Sequence, residues 1–284
     1  MSAEYTISFI DSHCHLDAAE FEHDRDSVVA RSREQGVGQW LVPAITAATF
    51  PQTLLMQQRY GALIALGLHP IYEVQHRDEH LVILREQLQR GLALAVGEIG
   101  LDFYLPELDP TRQIHFFEAQ LKIARDFDLP VIVHIRRSQD QVLKYLRKWR
   151  VKGGIAHAFN GSEQQADEFI KLGFALGFGG AMTYNGSQRI RRLAQSLPLE
   201  SIVLETDSPD IAPSWLASGQ PGSPPGRNEP AQLPRIAQTL ADLRQCTLAE
   251  VAKQSRENTY RILGLPLFSL LSCPPDRINC RTSP

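Results

Sequence analysis

Along nearly the whole chain, short runs of β-branched and apolar residues alternate with longer stretches of helical periodicity. The strand-like runs are 7–11, 39–43, 63–68, 92–98, 130–134, 154–158, 174–178 and 201–205. Between them, Phe116, Phe117, Leu121 and Ala124 recur at helical spacing within 111–128, as do Val142, Leu143, Leu146 and Trp149 within 139–149. Such stripes predict amphipathic helices. Strand, helix, strand repeated eight times predicts an α/β chain closed as a (β/α)8 TIM barrel. A six-stranded doubly wound sheet leaves two of the units unplaced. The irregular stretch 209–230, rich in Pro, Gly and Ser, follows the eighth strand and is long enough for a functional loop. From Leu267 the periodicity fails, so the pattern predicts a barrel domain over 1–266 and an appendage over 267–284, expected to be mobile.

Composition narrows this picture only slightly. Of the 284 residues, 43% are hydrophobic and 21% charged, which argues against disorder on the scale of a domain. The net charge of −3 supplies no global attraction to polyanions or membranes, so any nucleic-acid binding must be local. The first eight residues lack the basic and apolar succession of a signal peptide, and no apolar run approaches the roughly 20 residues of a membrane span. A soluble cytoplasmic protein is expected. Cys14, Cys246, Cys273 and Cys280 show no CxxC pairing, so neither a disulfide framework nor a cysteine zinc site is supported.

The chemistry lies at the strand ends. In FIDSHCHLD, strand geometry turns His13 and His15 to one face and Cys14 to the other, which makes the two imidazoles a candidate metal clamp. Glu98 ends LALAVGE, His134 ends PVIVH, His157 ends GGIAH and Asp207 closes SIVLETD. Carboxylates and imidazoles behind apolar strands are costly to bury unless paired or metal-bound, and the C-terminal rim is where barrels place their chemistry. Four histidines and two carboxylates exceed the needs of one tetrahedral ion, so two divalent metal ions are expected, with Glu98 able to bridge them. Asp207 could serve as ligand and as general base toward the attacking water.

Taken in order, DSHCHLD, GLHP, GEIGLDFY, LPVIVH, AHAFNGS, LETDSPD and RNEP resemble the TatD-type metal-dependent DNases of the amidohydrolase superfamily. The resemblance covers about residues 9–266. It implies a (β/α)8 hydrolase barrel with His13, His15, Glu98, His134, His157 and Asp207 as ligands, Glu98 standing where other amidohydrolases carry a carboxylated lysine. It also implies hydrolysis of DNA phosphodiesters, commonly from the 3′ end, with a divalent metal whose identity (Zn, Mn, Fe or Mg) the residues leave open. Family members usually stop soon after a helix like ENTYRILGLP, whereas this chain continues through 267–284.

Local residues fit a DNA substrate. Arg136 and Arg137 follow the fifth strand, Arg189, Arg191 and Arg192 the seventh, and Arg227 lies in the long loop; for 189–192 a solvated helix face is the favoured alternative. Phe103, Tyr104, Phe159, Tyr184 and Trp215 could stack on bases. His69 in GLHP could touch substrate or hold the turn before Pro70. Asp102 and Glu205 are candidates to orient ligands by hydrogen bonds. Asn228 and Glu229 match the family's loop motif and are expected to fix that loop over the site. His23, His76, His80 and His115 are expected at the surface, and, with no symmetric apolar stripe, a monomer is expected. The competing reaction is hydrolysis of an ester or amide, such as an aminoacyl-tRNA linkage, since the same water could attack carbonyl carbon. A metal-dependent binding module without activity is the third reading.

Overall fold

A computed structural model describes residues 8–218 and 224–266, and the tail expected over 267–284 lies outside the described residues. Eight parallel strands form the sheet in chain order: β1 (Phe9–Asp11), β2 (Val37–Pro43), β3 (Leu63–Leu66), β4 (Ala95–Asp102), β5 (Val131–Arg136), β6 (Gly154–Ala156), β7 (Phe174–Phe178) and β8 (Ile202–Leu204). Ser12 donates its N–H (3.0 Å) and hydroxyl (2.9 Å) to Leu204 O, drawing β8 against the end of β1. The result is the TIM barrel expected from the alternation.

Helices fill each crossover: α1 (Arg25–Glu34), α2 (Phe50–Tyr60), α3 (Asp78–Gln89), α4 (Pro110–Asp126), α5 (Gln139–Trp149), α6 (Glu163–Lys171) and α7 (Gln188–Ser196), followed by α8 (Leu233–Arg244) and α9 (Leu248–Leu263). Their boundaries follow local chemistry. Ser162 and Gln165 form a capping box on α6, Thr247 and Glu250 another on α9, and Gly264 ends α9 in the left-handed region. Among the described residues no helix is long and apolar enough to cross a membrane.

Two apolar clusters follow from strand alternation. Trp40, Val42, Ile64, Leu66, Val131 and Val133 belong to the large layer shared with the helices. Leu41, Ala65, Ala95, Ile132, Ile155, Ala175 and Val203 form a smaller cluster, closed by Ile262 and Leu263 of α9. Three alanines and four larger aliphatic residues share this layer, packed inside the closed barrel.

One strand departs from the sequence reading. Glu98 was expected to end the fourth strand, yet β4 runs on through GEIGLD to Asp102. Three steps along β4, Val96 to Ile99, oppose two along β5, Val131 to Val133, so the strand carries an extra residue there. Such a bulge re-aims a side chain, and Glu98 is the residue re-aimed. Close backbone approach accompanies it: a Cβ on Gly67 would meet Gly97 at 2.7 Å, and one on Gly97 would meet Ile132 at 2.6 Å. Two buried glutamines of α4 hold the neighbouring strand ends. Gln113 accepts from Asp102 N (2.7 Å) and donates to Asp102 O (2.8 Å); Gln120, two turns on, does the same for Leu68 (2.7 and 3.1 Å).

Candidate metal centre

His13 and His15 lie just past β1, where Cys14 N donates to Leu41 O and His15 N to Ser208 O, so the extended backbone continues between its neighbours. The alternation therefore holds: Cys14 is fully buried in the outer core, while the two Nε2 atoms stand 3.3 Å apart. Asp207 follows β8 in the left-handed region (φ 52°), with its N–H donated to His13 O. Few non-glycine residues take such a conformation, though aspartate tolerates it better than most. Here Asp11 accepts from Thr206 N (3.0 Å) and Thr206 Oγ1 (2.5 Å), and Asn228 Nδ2 donates to Thr206 O (2.8 Å) and Asp210 O (2.9 Å). Thr206 before Asp207 and Asp210 beyond it are thereby held.

Glu98 sits at the middle of the cluster, and its two oxygens face different partners. Oε2 lies 3.2 Å from His13 Nε2 and 3.6 Å from His15 Nε2; Oε1 lies 3.1 Å from His134 Nδ1, 3.2 Å from His157 Nε2 and 3.0 Å from His69 Nε2. Asp207 Oδ1 completes the first set at 3.4 Å from His13 and 3.5 Å from His15. Three overlapping groups, His13/His15/Asp207, His13/Glu98/His157 and His69/Glu98/His134, have donor atoms close enough to hold a metal ion.

His69 differs from the other imidazoles. Its Nδ1 accepts from Ile71 N (3.2 Å), so in the neutral ring the proton is on Nε2, facing Glu98 Oε1. Burial, which outweighs the attraction of Glu98, holds this ring's pKa down to about 4 and keeps it neutral. A protonated Nε2 donates a hydrogen bond and cannot bind a metal.

Burial opposes charge on the other rings too. It lowers His13 to about 3, reinforced by His157. At His157 the Glu98 and Asp207 carboxylates outweigh burial and raise the ring well above its usual range. Burial alone would raise Glu98, yet the surrounding imidazoles, His69 and His157 foremost, hold it well below the carboxylate range. Burial pushes Asp207 up to about 6.

The donors fit divalent cations. Two imidazole lone pairs cannot face each other at 3.3 Å without a proton or cation between them, and the set of imidazole nitrogens and carboxylate oxygens suits a transition ion or Mg²⁺. Supporting groups are also in place: Asp102 Oδ2 accepts from His134 Nε2 (3.0 Å), leaving Nδ1 toward Glu98, and Glu205 Oε1 lies 3.5 Å from His157 Nδ1. The cluster opens into a cavity of about 1300 Å³.

A family model described as TatD related DNase matches residues 10–264. The chain belongs to the TatD-related DNase family. The uncharacterized metal-dependent hydrolase YjjV of Escherichia coli (strain K12) is 38% identical over 262 residues, covering 91% of this chain and 98% of that protein. The 3′-5′ ssDNA/RNA exonuclease TatD of Erwinia amylovora is 31% identical over 255 residues, covering 88% and 97%. The crystal structure of YjjV superposes with a TM-score of 0.84 at 37% identity, covering 91% of this chain and 98% of that one. With these relatives the chain is a metal-dependent hydrolase of the TatD family.

Within that family frame the expected site residues divide. His13, His15, Glu98, His134, His157 and Asp207 converge, and His69, Asp102 and Glu205 touch them. Arg136 lines the cavity, as do Arg137, Arg189 and Tyr104. Arg227, expected at the substrate, is tied up elsewhere. It donates to Asp24 (2.9 and 2.6 Å), Glu229 (2.9 Å) and Glu20 O (2.7 Å) outside the cavity lining, because two carboxylates lie within its reach. Glu229 also accepts from Arg31 (2.9 and 2.8 Å), so together with Asn228 it pins the RNEP segment to α1 and to the Asp207 turn. Of the aromatics proposed to stack, Phe159 is buried in the core, Tyr184 donates to Ala212 O and Trp215 to Gln232, all outside the cavity lining along with Phe103. Arg191 reaches Met182 O rather than the cavity.

His76, expected at the surface, is fully buried, with its Nε2 hydrogen-bonded to His69 O (2.8 Å). The short 3₁₀ segment Pro70–Gln75 turns it inward. Asp11, Thr206, Gln113 and Gln120 were not singled out from the sequence. A carboxylate two residues ahead of HxH, and glutamines seven apart on an apolar helix face, are the signals that could have found Asp11, Gln113 and Gln120.

Proposed function

We propose that this TatD-family hydrolase cleaves phosphodiester bonds at the end of a single-stranded nucleic acid, DNA first, using two divalent ions. The observation that carries the reading is the division of Glu98, whose Oε2 faces His13 and His15 while its Oε1 faces His134 and His157, at the floor of an open cavity. One ion is assigned to His13, His15, Glu98 and Asp207, the other to Glu98, His134 and His157. When bound, the ions supply an activated water and neutralise charge on the scissile phosphate.

The chain's own side chains do the remaining work. Asp207, at the mouth of the first set, accepts the proton of the attacking water. His69 presents its Nε2–H to Glu98 Oε1 and so orients that carboxylate. Asp102 and Glu205 orient His134 and His157. Substrate polarity comes from the relative named a 3′-5′ ssDNA/RNA exonuclease, and the arginines at the rim support an anionic polymer over an uncharged amide.

The test is incubation of metal-stripped protein, reloaded with Mg²⁺, Mn²⁺ or Zn²⁺, with 5′-labelled single-stranded DNA, duplex DNA, RNA and an aminoacyl-ester panel. Stepwise shortening of the single strand from its 3′ end, silenced by chelation, is expected. Turnover of the esters with intact DNA overturns the assignment.

A further inference from the structure

We infer that Arg136, Arg137 and Tyr104 form a second phosphate subsite, which holds the phosphate next along the strand from the one being cleaved; the inference rests on the nucleic-acid reading above. Consecutive residues leaving a strand point to opposite sides, yet the Arg136 and Arg137 guanidiniums lie 3.8 and 4.6 Å from the centre of one ring, that of Tyr104. The reversal is made by Arg137, which takes φ 54° in the left-handed region immediately after β5. Few non-glycine residues take that conformation, and here it brings both guanidiniums to the same side of the cavity rim.

Two like charges gathered on one ring call for an anion. Among the described residues no carboxylate pairs with Arg137, and the nearest to Arg136 is Asp102, at 3.9 Å and outside hydrogen-bond distance. Arg25, also in the cavity, contrasts with this: it spends its donors on the Leu16, Asp17 and Ala18 carbonyls. The forked guanidinium donors match phosphate geometry, and the half-exposed Tyr104 ring offers a stacking face.

The subsite is rigidly joined to the metal centre. Asp102 Oδ1 accepts from Tyr104 N (2.9 Å) while Oδ2 accepts from His134 Nε2 (3.0 Å), so one buried carboxylate fixes both. The strand's direction follows from charge. Arg136 and Arg137 stand over β5, whereas Asp17, Glu20, Glu22 and Asp210 stand over β1 and β8, across the barrel, and outnumber Arg25 there. A polyanion leaves over the first half and is repelled by the second.

The experiment compares wild type with R136Q/R137Q on a single-stranded oligonucleotide and on bis(p-nitrophenyl) phosphate, a diester without a second phosphate. The double variant is expected to lose at least tenfold more kcat/KM on the oligonucleotide than on the small diester. Its slope of log binding against log salt falls by about 1.4, the value for two contacts on a single strand. R136K/R137K, which keeps the charge, recovers most of that slope. Equal losses on both substrates overturn the subsite. Anisotropy of the labelled oligonucleotide with metal-free protein separates this from the nuclease reading. Weaker binding by R136Q/R137Q than by wild type sustains the subsite even where no diester is cleaved, and equal binding by the two sinks it.

Discussion

The two halves of the rim use the same residue types in opposite ways. Over β8 and β1 the polar groups that hold the Asp207 turn are answered within the protein: Asp11 by Thr206, Asn228 by three carbonyls, and Arg227 by Asp24 and Glu229. Over β5 the guanidiniums of Arg136 and Arg137 rest on an aromatic ring, and among the described residues no carboxylate stands within hydrogen-bond distance of either. A satisfied network positions its members, and the Asp207 turn is what this one positions. Unsatisfied donors facing a cavity are free to bind. The difference shows why an arginine's place in a family loop does not by itself make it a substrate contact.

The largest break in this arrangement is expected at Glu98, the side chain shared by both donor sets. Glu98→Gln should lower kcat/KM by about a thousandfold or more, on the order of 4 kcal/mol of transition-state stabilisation, measured by initial rates at saturating metal. Removing metal comes next. At an ion concentration about a hundred times Kd, binding contributes about 2.7 kcal/mol, so chelation should lower Tm by roughly 5–10 °C in a domain of this size.

The sign of the pH dependence follows from His157, whose pKa is raised well above its usual range despite burial, by Glu98 and Asp207. A raised histidine stabilises the metal-free protein fully below its unfolded pKa, and that contribution is lost as pH rises through the folded value. The ion needs the ring deprotonated, so binding releases protons and strengthens with rising pH. The gap in Tm between loaded and stripped protein should therefore widen from pH 6 to pH 8 in a scanning fluorimetry series.

Asn228→Ala probes the satisfied half. It leaves the buried Thr206 carbonyl and its neighbours without their donor, costing about 1–3 kcal/mol, and should loosen Asp207 enough to lower kcat by roughly 10–100-fold. The smallest effect belongs to Arg227→Gln, which breaks half-exposed ion pairs worth about 0–1 kcal/mol. KM should stay within about twofold of wild type in a steady-state assay, in contrast to Arg136.

Barrel and histidine–carboxylate cluster were legible in the sequence for one physical reason: period-two and helical patterns reflect burial directly, and a polar residue ending an apolar run is costly enough to stand out. His13 with His15, and His134 and His157, were found this way. What escaped depends on neighbours distant in the chain. The bulge at Glu98 is a mismatch of β4 against β5. Arg227 pairs with Asp24, 203 positions away. His76 is turned inward by a short 3₁₀ segment that periodicity does not register. Gln113 and Gln120 read as polar interruptions of a stripe until Asp102 and Leu68 are seen beneath them.

The central claim is that the cluster around Glu98 drives phosphodiester hydrolysis with Asp207 as the base. The direct measurement is single-turnover cleavage of 5′-labelled single-stranded DNA by wild type and Asp207→Asn, both loaded with the same metal and checked for folding by circular dichroism. Wild type should shorten the strand from its 3′ end, and the folded variant should leave it intact. Cleavage by Asp207→Asn at the wild-type rate would contradict the account.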